Sequence, residues 1–186
     1  VFIRHFKEYA QEAVRLAGLK PGDQVLDIGS NDGTMLGFFK ERGMKVLGID
    51  PAQKIAEEAA RKGIPTLSEF FTPALARQLA AEFGHAKVVT ANNVFANIDD
   101  LKTWVDGIDA LLAPDGVFVC ESYYLVDVLQ NMVFDFIYHE HLSYFNLTSL
   151  ANFFRRHRME IFDAQRVDSH GGSLRAFAGR AGEHSI

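Results

Sequence analysis

Val25-Leu26-Asp27-Ile28-Gly29-Ser30-Asn31-Asp32-Gly33-Thr34 is the stretch that decides how this chain folds. A short apolar run carrying one carboxylate gives way to a loop bounded by two glycines. The loop leads into the helix-forming residues from Thr34 to Arg42, stopped near Gly43. This order predicts a buried strand, a tight turn and a helix. Glycine lets the backbone turn sharply and come close to a ligand. A second apolar run, Lys45–Ile49, ends at Asp50. A carboxylate at that place can accept both hydroxyls of a ribose.

Two kinds of cofactor use this geometry. A dinucleotide site expects G-x-G-x-x-G, with the pyrophosphate on the helix N-terminus. The loop here is Gly29-x-x-x-Gly33 with Asp32 inside it. An acid is a poor host for a pyrophosphate and a better one for a cofactor carrying an ammonium and a sulfonium. S-adenosylmethionine is therefore favoured over NAD. A glycine turn with no ligand is the plainer reading, and the joint occurrence of loop and Asp50 speaks against it.

Outward from this stretch, helix and strand alternate. Phe2, Phe6, Tyr9, Ala13 and Leu16 are spaced for one helical face. After Asp50, a helix is predicted over Ala52–Lys62, closed by Gly63, and a short strand at Thr66-Leu67. A helix follows over Thr72–Phe83, with Thr72 as its cap and Pro73 at its start. Then come a strand at Lys87–Ala91, a helix at Leu101–Leu112, a turn at Pro114-Asp115-Gly116 and a strand at Gly116–Glu121. Residues 122–147 form a long aromatic connection. Leu147–His157 reads as a helix, and Glu160–Asp168 and Ser173–Ala178 read as strands around a Gly171-Gly172 turn. Alternating elements imply a doubly wound, mainly parallel sheet with ligands at the carboxyl ends of its strands. The last two strands lack an intervening helix and should form an antiparallel hairpin. The expected architecture is α/β and Rossmann-like, with seven strands and that hairpin at its end.

Composition narrows the function classes. The chain has 186 residues, 48% hydrophobic and 23% charged, which suits one cored domain. Its net charge of −5 gives no basic footprint and argues against nucleic acid as the main partner. The one cysteine, Cys120, lies in the apolar run Gly116-Val-Phe-Val-Cys120 and reads as a small buried hydrophobe. No stretch approaches the ~18 apolar residues of a membrane span, and Arg4, His5 and Lys7 interrupt any signal peptide. A cytoplasmic location is expected. The chain begins at Val1 and ends at Ser185-Ile186, and it reads as a piece of something longer.

A second cluster is Asp135-Phe-Ile-Tyr138-His139-Glu140-His141-Leu-Ser143-Tyr144-Phe145. His139 and His141 could ligate a metal, but on a strand Glu140 would point the other way. No metal is expected. The alternative is general base chemistry, in which a histidine removes a proton beside a ketone and a tyrosine stabilises the enolate oxygen.

With these residues in view, the chain resembles the class I methyltransferases, and more narrowly the sugar C-methyltransferases that act on nucleotide-linked 4-keto-6-deoxy sugars. Three strings carry the likeness. They are Asp27-Ile-Gly-Ser-Asn-Asp-Gly-Thr34, with Asn31 at the middle glycine of D-x-G-x-G-x-G, Tyr138-His-Glu-His-x-x-Tyr-Phe145 and His170-Gly-Gly-Ser-Leu-Arg175. The resemblance implies S-adenosylmethionine as cofactor, with Asp27, Gly29, Asn31 and Gly33 on the methionine and ribose side. It implies Asp50 on the ribose, Phe70 or Phe71 beside the adenine, and Asn92 and Asn93 at the methionine end. It makes His141 the base and gives Tyr138 and Glu140 supporting contacts. His139 is read equally well as a structural histidine. Asn97, Tyr144 and His170 would border the acceptor, while Arg175 could be an ordinary strand charge.

The likeness has departures. Asn93-Val-Phe-Ala-Asn97-Ile98 carries asparagine where many members have histidine, and it can offer only a neutral hydrogen bond. Members also carry a Cys-rich zinc segment and a long C-terminal domain that this sequence does not contain. Methylation of oxygen or nitrogen, and a cofactor-binding module without chemistry, stay open as alternatives.

Overall fold

The computed structural model describes residues 2–169 and 171–185. Seven strands form one sheet: β1 Gln24–Ile28, β2 Lys45–Ile49, β3 Thr66–Leu67, β4 Ala86–Asn92, β5 Leu112–Tyr123, β6 Met159–Val167 and β7 Ser173–Arg180. Helices α1 Phe2–Leu16, α2 Thr34–Lys40, α3 Gln53–Arg61, α4 Pro73–Phe83, α5 Leu101–Leu111, α6 Leu125–Gln130 and α7 Leu147–Arg156 complete the fold.

The strand order is β3-β2-β1-β4-β5-β7-β6. β1 pairs in parallel with both β2 and β4, so the winding reverses direction at β1. A crevice opens outside the carboxyl ends of the strands at such a reversal. β7 lies antiparallel between β5 and β6, which is the expected hairpin.

Apolar residues fill both faces of the sheet. One core joins Leu75, Trp104, Ile108, Leu111 and Phe154 to the sheet, and the other joins Tyr9, Ala13, Leu36 and Phe39 to its opposite face. Cys120 is free and buried in the first core. Phe95 is the hub of that core. Its ring lies 5.4 Å from Phe145, 5.7 Å from Trp104 and 5.8 Å from Phe154, centroid to centroid. Local capping fixes where helices start. Thr72 accepts from the Leu75 N–H at 3.2 Å ahead of α4, and Asn146 and Ser149 form a capping box on α7.

Two details differ from the sequence reading. The expected turn Pro114-Asp115-Gly116 lies inside β5, which begins at Leu112. Pairing with β4 jumps from Ala86↔Leu112 to Val88↔Val117, so Pro114 and Asp115 bulge out to solvent without ending the strand. The long connection holds α6 and a 3₁₀ turn at Phe134–Phe136. At six residues α6 is too short to show a helical period. It is held from outside, where Arg166 on β6 donates to the buried Asp127 carboxylate, with Nε 3.0 Å from Oδ2. No helix among the described residues is long and apolar enough to cross a membrane.

Phe95→Ala removes the ring on which five other aromatics pack. It should cost about 3–5 kcal/mol in chemical denaturation. A loss under about 1 kcal/mol would show that the first core does not depend on this side chain.

Candidate active site

A cleft of about 850 Å³ opens at the reversal point. Asp27, Gly29, Asn31, Asp50, Phe70, Phe71, Asn92, Asn93 and Asn97 line it, all of them singled out from the sequence. Phe6 of α1, Met35, Val94 and Trp104 join them. Only apolar spacing marked Phe6, and no local pattern marked the others as cleft residues.

The loop after β1 is built for close approach. Gly29 has φ +73°, and the Val94 side chain fills the space where a Cβ would stand. Asn31 also adopts the left-handed region, φ 49°, which a short amide side chain tolerates better than most. That conformation explains how asparagine occupies a glycine position. Its N–H donates to Asp50 Oδ2 at 2.9 Å, while Asp50 Oδ1 accepts from the Ala52 N–H, also at 2.9 Å. The Asp50 carboxylate is thereby fixed at the cleft edge.

Gly33 does not line the cleft. A Cβ there would stand 2.9 Å from Ile64 Cγ2, so this glycine serves the turn into α2 and its packing. Asp32 does line the cleft, as the loop reading expects, but its charge is already engaged. Its carboxylate accepts from the Thr34 hydroxyl at 2.7 Å and from Lys62 Nζ at 2.9 Å. Burial pulls its pKa upward, but the Thr34 and Lys62 contacts outweigh this and hold it below the usual range. Asp32 is thus already paired with a cation. Asp27, Asp50 and Glu69 line the cleft as well.

Asp27 is buried and accepts from the Thr90 hydroxyl at 2.6 Å. Burial, helped by the charge of Asp50 and opposed by the Thr90 bond, lifts its pKa to about 7. Asn92 donates weakly to Met35 Sδ at 3.3 Å, and its Oδ1 is buried with no partner, as is Ser30 Oγ. Unsatisfied buried acceptors are costly and suit a ligand that donates. Asn93 is left-handed, φ 55°, and its N–H is held by the Glu121 carbonyl at 2.8 Å. Phe71 packs edge-on against Trp104 at 5.2 Å, while Phe70 is 76% exposed.

The second cluster docks next to this cleft, and Tyr138, His141 and Tyr144 are not among the cleft's lining residues. The Ala96 carbonyl accepts from the N–H groups of Leu142 and Ser143, both at 3.0 Å, and the next residue, Asn97, lines the cleft. His141 is half-buried, with its ring 4.5 Å from Tyr123 and 4.0 Å from Tyr138. Its Nδ1 lies 2.8 Å from the Phe136 carbonyl, which also accepts from Tyr144 Oη at 3.1 Å. A carbonyl only accepts, so Nδ1 carries the hydrogen and neutral His141 keeps its lone pair on Nε2. No described residue bonds Nε2. Tyr138–His141 is a turn, with the His141 N–H on the Tyr138 carbonyl at 3.0 Å, so strand alternation does not apply. His139 and Glu140 face solvent, 3.9 Å apart, and are not brought to His141. Among the described residues no group of three or more His, Cys, Asp or Glu could hold a metal. His170 lies outside the described residues. Arg175 is buried, paired with Glu121 at 2.7 Å.

A family model described as a methyltransferase domain matches residues 2–161. The chain belongs to that methyltransferase family. It is 40% identical over 185 residues to the C-methyltransferase NovU of Streptomyces niveus. The match covers 99% of this chain but 44% of that protein, so the chain spans under half the length of this curated relative. Among solved structures, magnesium protoporphyrin IX methyltransferase from Synechocystis, with bound SAH, superposes with a TM-score of 0.74 at 14% identity, covering 97% of this chain and 84% of that one. An S-adenosylmethionine-dependent methyltransferase from Clostridium acetobutylicum gives 0.73 at 12%, covering 98% and 93%. At these identities the methyltransferases share the fold with this chain.

A carboxyl lifted from 3.8 to about 7 binds its proton more tightly in the folded than in the unfolded chain. Folding stability should therefore fall as pH rises from about 4 to 7. Asp27→Asn removes that loss and can still accept from Thr90. The variant should melt on the order of 5 °C above wild type at pH 8 and much closer to it at pH 4. A difference independent of pH contradicts the raised pKa.

Proposed function

We propose that this protein is an S-adenosylmethionine-dependent C-methyltransferase whose acceptor is a nucleotide-linked keto-deoxy sugar, and that His141 is its general base. The observation that carries the chemistry is the Phe136 carbonyl on Nδ1, which leaves Nε2 basic beside Tyr138. The C-methyltransferase relative supports carbon as the methylated atom.

The cleft fits the cofactor. Asp50 would hold the ribose hydroxyls, and Phe71 would flank the adenine. The unpartnered Asn92 Oδ1 and the neighbouring Asp27 would face the ammonium. When bound, the cofactor supplies a methyl on a sulfonium, which an enolate carbon can take. His141 Nε2 removes the proton beside the ketone and becomes imidazolium, stabilised through Nδ1–H on the Phe136 carbonyl. Tyr138, 45% exposed next to that ring, donates to the enolate oxygen. Tyr144 fixes the same carbonyl and so the ring plane. Asn97, at the cleft, offers a neutral hydrogen bond to the acceptor.

His141→Ala in the full-length protein should cut turnover by about 10²-fold or more while S-adenosylhomocysteine binds as before. Turnover retained in that variant removes His141 as base. The product separates this reading from methylation of oxygen or nitrogen, because a methyl on carbon survives acid hydrolysis as a branched sugar.

A further inference from the structure

A buried ionic cluster outside this chemistry joins α1 to the sheet. His5 Nε2 lies 2.7 Å from Glu121 Oε1, and Arg175 binds Glu121 Oε2 through Nε at 2.8 Å and its terminal nitrogen at 2.7 Å. The guanidinium stacks 4.2 Å over the ring of Tyr9, whose hydroxyl donates to the Val119 carbonyl. Glu121 and Arg175 are buried, and His5 is half-buried at the edge of the cluster. Burial alone would raise the Glu121 pKa, but His5 and Arg175 reverse this and keep it below the usual carboxylate range.

Burying such groups costs desolvation, and apolar side chains would anchor a helix as well or better. What a hydrogen bond adds is a fixed distance and direction, where apolar contacts can slide. The cluster provides this next to the cleft. Phe6, beside His5 in sequence, is a wall of the cleft. The main-chain carbonyl of Glu121 also holds Asn93, another cleft residue, at 2.8 Å.

We infer that His5 is a positioning residue for the cofactor cleft: its bond to Glu121 sets the register of α1, so that Phe6 stands against the bound cofactor. This rests on the cofactor proposed above. Glu121 thereby orders two parts of the cleft, Asn93 through its backbone and Phe6 through His5.

The test is calorimetric titration with S-adenosylhomocysteine, paired with thermal melting, for wild type, Phe6→Ala, His5→Ala and His5→Gln. Glutamine can still donate to Glu121. Phe6→Ala and His5→Ala should each weaken binding roughly tenfold, whereas His5→Gln should stay within about threefold of wild type. A merely structural role would lower the melting temperature and leave the affinity of the folded protein unchanged. Should His5→Ala fail to fold, His5→Leu, which fills the space without a donor, replaces it. Binding unchanged in His5→Ala or in Phe6→Ala overturns the inference, as does His5→Gln binding as weakly as His5→Ala. Wild-type protein that takes up no S-adenosylhomocysteine overturns the cofactor reading itself, and this inference with it.

Discussion

The contact between Gly29 and Val94 is the constraint on which the site depends. The Val94 side chain occupies the place of a missing Cβ, so the loop after β1 and the segment after β4 touch with no room to spare. The parallel pairing of β1 with β4 brings them together, and the left-handed residues Asn31 and Asn93 aim the two segments. From one side Asp50 is fixed by Asn31 and Ala52, and from the other Asn93 is fixed by Glu121. Strained backbone clustered around one cleft is a common mark of a site that must be ordered before its ligand arrives. The fold supplies the crevice, and these contacts make it specific.

The chemical half is held differently. No strand carries Tyr138 or His141. They sit on a turn docked through Leu142 and Ser143 to the Ala96 carbonyl and roofed by aromatic rings. The Phe136 carbonyl takes hydrogen bonds from both His141 and Tyr144, which sets the tautomer and the ring plane. A short turn can hold the His141 ring this way because packing against Tyr123, itself buried at the end of β5, restrains it. Asn97 connects the two halves, next to the docking carbonyl and on the cleft wall.

Much of this was legible in the sequence, for physical reasons. Buried parallel strands read as apolar runs, so β1, β2 and β4 stood out. Thr72 declared its helix by its hydrogen-bonding chemistry. The loop is equally plain, but the charge that Asp32 presents to the cleft is not. Asp32 is neutralised by Lys62, a partner thirty positions away in sequence, and no local pattern reveals such a pairing. Gly33 makes room for Ile64, a packing role that its place in the loop does not reveal. α6 stays hidden because it is six residues long and its contacts, Arg166 on Asp127 and the packing of Val128, come from distant parts of the chain. In the histidine string, residue type could not separate His141 from His139. Burial separates them, since one ring is packed between tyrosines and the other is in solvent.

The central chemical claim is that His141 makes an enolate before any methyl moves. The direct measurement is proton exchange at the acceptor carbon. The full-length protein is incubated in D₂O with the keto sugar and S-adenosylhomocysteine, and the carbon beside the ketone is followed by NMR. Deuterium is expected at that carbon with the wild-type protein and none above background with His141→Ala. Exchange that persists without His141, or none with a wild-type protein that methylates that carbon, would contradict it.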